Sequence, residues 1–136
     1  MVNITNKTPY QIDTQALEQT IFSFFQYYNI PDKNVSVALV DDKEIRRVNK
    51  EFLHRDGVTD VIAFPGSKKD LGEVIIDYDQ IERQAEEYGN SVDYELKFVL
   101  VHGLLHLLGW EDYTPEDKEE MLEEGERFLN FVNRNP

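Results

Sequence analysis

Two histidines sit four residues apart inside an apolar run, Phe98-Val99-Leu100-Val101-His102-Gly103-Leu104-Leu105-His106-Leu107-Leu108, and Gly109, Trp110, Glu111 and Asp112 follow. On an α-helix, residues four apart share a face and lie roughly 6 Å apart along the axis, so both imidazoles can grip one small cation. A catalytic zinc ion usually takes three protein donors and keeps one position open. Gly109 can adopt the left-handed conformation that ends a helix and turns the chain back, which would carry Asp112 to the histidine pair. The spacing H-x3-H-x2-G-x2-D therefore predicts one Zn2+ held by His102, His106 and Asp112 at the end of a central helix. Glu111 is the neighbouring alternative donor, and spacing favours Asp112. Neutral imidazoles among so much leucine and valine are costly without partners, which weighs against two histidines merely filling a core.

The run resembles the helix signature of zinc peptidases, H-E-x-x-H-x-x-G-x-x-H, with two departures. Asp112 stands where that pattern has its third histidine, and Gly103 stands where it has the glutamate that takes the proton from attacking water. Glycine cannot do so, and peptide hydrolysis is therefore disfavoured.

The elements that must position these donors follow from periodicity and caps. Thr14 can cap a first helix carrying Leu17, Ile21, Phe24, Phe25 and Tyr28 at helical spacing, with Pro31 just beyond its end. Val35 to Val40 reads as a buried strand, and Asp41 or Asp42 can cap a helix with Ile45, Val48 and Phe52 inward and Arg46, Arg47 and Lys50 outward. Thr59 to Phe64 and Leu71 to Tyr78 are two strands joined by a Pro65-Gly66-Ser67 loop, which predicts a hairpin. Thr59 and Asp60, at the start of a strand, read as local turn-capping residues in preference to catalytic ones. Asp79 opens a helix that Gly89 stops, Ser91 caps the histidine helix, and Thr114-Pro115-Glu116-Asp117 opens a last helix that Met121, Leu122, Phe128, Leu129 and Val132 pack back on the body. The mixture without strict βαβ alternation predicts an α+β fold, a small mixed β-sheet on one side packed against several helices on the other, in one domain over residues 1–136.

Composition narrows the function. The chain has no cysteine, so it has neither disulfides nor thiolate ligands and any metal must rest on His, Asp and Glu. The start has no signal-peptide pattern and the longest apolar run is too short to span a bilayer, which predicts a cytoplasmic protein with no membrane partner. A net charge of −13 argues on its face against a polyanionic partner. The distribution softens this: Lys43, Arg46, Arg47, Lys50, Arg55, Lys68 and Lys69 gather in the middle of the chain, as a solvated helix face or a phosphate-binding patch, and Glu111 to Glu126 is densely acidic.

Taken in order, Asn49 with Phe52, Asp56, Thr59-Asp60-Val61-Ile62-Ala63-Phe64, Leu71-Gly72-Glu73, Gln84-Ala85-Glu86, and Val101-His102-Gly103 through Leu105-His106-Leu107 and Gly109 resemble the YbeY family, closely over residues 36–113 and loosely elsewhere. The resemblance implies a metal-dependent endoribonuclease acting on single-stranded regions of ribosomal RNA, in small-subunit 3′-end maturation and ribosome quality control, with the ribosome or assembly factors as partners. It also exposes two departures: Asp112 replaces the family's usual third histidine, and Leu53 replaces its usual basic residue after the aromatic Phe52. Arg55, two residues on, is the candidate to hold the scissile phosphate instead, with an ion pair to Asp56 or Asp60 as its alternative. Two other functions fit the same residues: a metallohydrolase of small phosphoesters, and a ribosome assembly factor in which zinc is a structural clasp. The residues set no oligomeric state.

Overall fold

A computed structural model describes residues 1–134. Five helices and four strands follow in the order β1 (Val2–Asn6), α1 (Thr14–Tyr27), β2 (Asn34–Val40), α2 (Asp42–Leu53), β3 (Val61–Pro65), β4 (Asp70–Asp77), α3 (Tyr78–Tyr88), α4 (Val92–Leu107) and α5 (Pro115–Arg134). The fold is α+β, with a mixed sheet in the order β1-β2-β4-β3. β1 and β4 run parallel to β2, and β3 closes the hairpin antiparallel to β4.

Alternation along the strands assigns the two faces. Val35, Val37 and Leu39 of β2 join Val74 and Ile76 of β4 in the main core, under Leu17, Ile21 and Phe24 of α1, most of α4, and Met121 and Phe128 of α5. Val40 and Ile62, with Ala38 and Ile75 beside them, point the other way and meet Ile45 and Val48 of α2. The sheet is thus covered on both faces, where the sequence predicts helices on one only. Helix α4 is the central element, with Leu96, Val99, Leu100, Val101, Leu104, Leu105 and Leu107 all buried. A helix apolar on nearly every side belongs inside a protein, and its few polar residues are the exceptions that need partners.

Several local expectations change. Asp13, not Thr14, caps α1, its carboxylate accepting the Ala16 N–H at 3.1 Å. Asp77, not Asp79, caps α3, and Asp79 lies in the first turn. Phe52 is 57 % exposed rather than inward, touching Phe64 edge-on at a centroid distance of 6.0 Å. The caps at Asp41, Ser91, Gly89 and Thr114 are as the sequence predicts. Strand β1 has no counterpart in the sequence reading.

Helices α2 and α3 meet through three acids. Arg83 forks onto both carboxylate oxygens of Asp42 at 2.9 and 2.8 Å, and Asp79 accepts the Asp42 N–H at 3.0 Å. Asp77 is fully buried and its Oδ2 meets no donor among the described residues. Burial and the neighbouring Asp42 push the Asp77 carboxyl up to about 8, whereas the Arg83 guanidinium holds Asp42 down to about 2. A proton kept on Asp77 and shared with Asp42 gives the orphan oxygen its partner.

Candidate metal centre

The end of α4 is built as its residues dictate. Gly109 takes φ +101, the Gly109 N–H bonds to His106 O at 3.0 Å and the Trp110 N–H to Leu105 O at 3.1 Å. This is the paired bonding of a Schellman turn, and it sends the chain back over the last turn of the helix. Asp112 returns to the histidines: its Oδ2 lies 3.6 Å from His102 Nε2 and 3.5 Å from His106 Nε2. The imidazoles stand edge to face with centroids 4.8 Å apart. One donor atom from each of the three residues falls within 4.8 Å of the others.

These separations are too long for good hydrogen bonds. They suit donors around one ion: tetrahedral ligands at zinc distances of 2.0–2.1 Å stand about 3.3–3.4 Å apart. The ring protons agree. His106 Nδ1 lies 3.0 Å from the Trp110 carbonyl, so Nδ1–H donates there and Nε2 keeps a lone pair aimed at Asp112. Burial, and next the adjacent His106, lower the His102 pKa below its ordinary value, with Asp60 and Asp112 pulling the other way. A neutral imidazole is the form that binds a metal. Two nitrogens and one carboxylate oxygen form a donor set in which zinc fits.

Two clefts meet at this cluster. One, of about 730 Å³, is bounded by α3, α4 and α5 and lined by Asp60, Gln84, Tyr94, Glu95, His102 and Asp112 among others. The second, of about 520 Å³, contains Leu53, Arg55, His106, Trp110, Glu111 and Asp112. Arg55 is the sole arginine or lysine lining that second cleft, and among the described residues it makes no ion pair with Asp56 or Asp60. Leu53 lines the same cleft. His54, the third histidine of the chain, lines neither cleft and ends α2 in the left-handed region at φ 56. Trp110 packs against the main core as well as lining the second cleft.

Sequence reasoning preferred a local role for one carboxylate that the fold brings to the site. Asp60, read as a turn cap, puts its side chain into the larger cleft, where Oδ2 accepts from Gln84 Nε2 at 3.3 Å. Buried Glu95 takes the other bond of that amide nitrogen, at 3.2 Å. Glu95 lies two turns before His102 on α4, a spacing that places both on one face.

A mixed sheet backing a central helix, with two histidines and a returning aspartate where two clefts meet, defines an α+β protein with a candidate divalent-metal centre. The model of the family described as Endoribonuclease YbeY matches residues 2–133, and the chain belongs to that family. It is 35 % identical over 136 residues to Endoribonuclease YbeY of Nautilia profundicola, covering 98 % of this chain and 92 % of that protein. With Endoribonuclease YbeY of Acholeplasma laidlawii it shares 37 % over 135 residues, covering 97 % and 96 %. The solution structure of TM1509 from Thermotoga maritima superimposes with a TM-score of 0.69 at 28 % identity, covering 100 % of this chain and 94 % of that one.

Proposed function

We propose that this chain is a one-domain, zinc-dependent endoribonuclease that cuts single-stranded regions of ribosomal RNA in the cytoplasm, in small-subunit 3′-end maturation and ribosome quality control. The observation that supports it most directly is the His102–His106–Asp112 cluster at the junction of two clefts, in a chain of the YbeY family. His102, His106 and Asp112 would hold one Zn2+ and leave one position for substrate. When bound, such an ion polarises a phosphate oxygen and eases loss of a proton from the attacking hydroxyl.

The remaining work falls to the protein. The Trp110 carbonyl holds the His106 ring in the tautomer that presents Nε2. Arg55 would bind the phosphate next to the scissile bond and offset charge as it builds on the phosphoryl oxygens, with its planar donors suited to that geometry. Tyr113, 84 % exposed and lining the same cleft, offers a face on which an unpaired base can stack. No helix among the described residues is long and apolar enough to cross a membrane.

Incubating the zinc-loaded protein with single-stranded RNA and with a small phosphodiester tests this. Chelator-sensitive RNA cleavage is expected. Cleavage of the small compound alone would transfer the site to small phosphoesters, and cleavage of neither would favour the assembly-factor reading.

A further inference from the structure

Zinc peptidases carry their proton acceptor one residue after the first histidine, and here that position is closed. A Cβ on Gly103 would stand 2.8 Å from Val74 Cγ1 and 3.1 Å from Val61 Cγ2, because α4 packs there directly on β4 and β3. A side chain at that position would be driven into the sheet, so a carboxylate serving the site is to be sought elsewhere on the cleft walls.

Asp60 meets this requirement. It immediately precedes β3, and its carbonyl accepts the Asp77 N–H at 2.9 Å, which fixes its backbone to the end of β4. Its side chain lines the larger cleft with His102 and Asp112, and its charge acts on His102. Gln84 Nε2 donates to Asp60 Oδ2 at 3.3 Å and to Glu95 Oε2 at 3.2 Å, while Gln84 Oε1 accepts from Gln80 at 3.1 Å. Glu95, 3 % exposed, is itself held by Asn90 Nδ2 at 3.1 Å. Both protons of the Gln84 amide are thus committed to two carboxylates, which sets its orientation and holds Asp60 by one oxygen. Among the described residues no donor meets Asp60 Oδ1. A partly buried polar chain that ends in one free carboxylate oxygen, in the cleft shared with His102 and Asp112, is what a positioned base requires.

We propose that Asp60 is the general base of this site, and that Gln84 and Glu95 are the residues that position it. The proposal rests on the nuclease reading above. As the attacking oxygen, of water or of the adjacent ribose 2′-hydroxyl, bonds to phosphorus, its proton passes to Asp60 Oδ1. The bond from phosphorus to the 5′-oxygen breaks, its electron pair leaves on that oxygen, and a proton from solvent completes the 5′-hydroxyl; Asp60 then returns its proton to solvent. Glu111 is the competing carboxylate, and it lines the opposite cleft with Arg55.

The test compares the zinc-loaded protein with Asp60→Asn, Asp60→Glu, Gln84→Leu and Glu111→Gln, on single-stranded RNA and on bis(p-nitrophenyl) phosphate, with zinc content and thermal midpoint measured for each. Asp60→Asn should lower kcat about 10²–10⁴-fold on both substrates, with KM, zinc per chain and midpoint held, and Asp60→Glu should restore part of the loss. Gln84→Leu should lower kcat with KM and zinc unchanged, and it carries the test if Asp60→Asn does not fold. The proposal is overturned if kcat of Asp60→Asn stays within about threefold of the parent, if zinc is lost in step with activity, or if Glu111→Gln carries the loss instead. RNA left intact while the small diester is cleaved defeats the RNA reading, and Asp60 is then judged on the diester; cleavage of neither by the parent defeats both.

Discussion

At the scale of the residue, the candidate centre depends on three donors with different supports. His106 is held through the Trp110 carbonyl and His102 by burial in α4, whereas Asp112 hangs on the turn that Gly109 makes. His106→Ala removes a donor and should lower zinc affinity by more than about 100-fold, the loss reached when a mere supporting partner of a ligand is removed; metal analysis after dialysis reads it. Asp112→His should keep one zinc per chain, since it exchanges one common zinc donor for another. Gly103→Ala acts through packing instead. Its new methyl meets Val74 and Val61 at sub-contact distance, and urea unfolding should show a loss of about 1–3 kcal/mol, typical of overpacking.

At the scale of the element, the latch between α2 and α3 makes stability depend on pH. Asp77 is raised from 3.8 to about 8 by burial and by Asp42, so between those values the folded chain holds a proton that the unfolded chain has released. Its contribution is full below the unfolded pKa and is lost as pH rises through the folded one. Thermal midpoints should therefore fall between pH 4 and pH 8 relative to an Asp77→Asn variant, which keeps a donor there at every pH. The same scale shows why some elements escape a sequence reading. Five-residue β1, Val2–Asn6, exists only as the parallel neighbour of Val35–Leu39, and nothing local announces a partner so far along the chain. Phe52 falls on the apolar stripe of α2 by spacing, yet in the last turn of that helix it meets Phe64 by its edge and stays exposed.

For the whole molecule, charge is the governing quantity. With 27 acidic against 14 basic side chains, the average surface repels RNA, so binding has to rest on a few phosphate contacts near the centre. Affinity for single-stranded RNA should weaken only shallowly with salt, and Arg55→Ala should lower the log–log slope by about 0.7, as loss of one phosphate contact on a single strand does. Removing zinc should leave the fold standing, because the main core of α1, α4, α5 and the sheet is assembled without the metal donors. A chelated sample that keeps its far-UV signal, with its midpoint lowered by a few degrees, is the expected result; complete unfolding would make the metal a structural clasp.

What the sequence alone determined is local and periodic. The four-residue spacing of His102 and His106, the turn at Gly109, the caps at Asp41, Ser91 and Thr114 and the hairpin of β3 and β4 were all legible, because each depends on the backbone geometry of a short stretch. The return of Asp112 to the two histidines was legible for the same reason, since it is tied to the helix by one turn. Tertiary structure alone decided which cleft Arg55 enters, that α2 covers the second face of the sheet, and that Asp60 lines the cleft of His102 and shares the Gln84 amide with Glu95. These are contacts between segments far apart in the chain, set by how strands pair and helices pack, and no spacing within a segment encodes them.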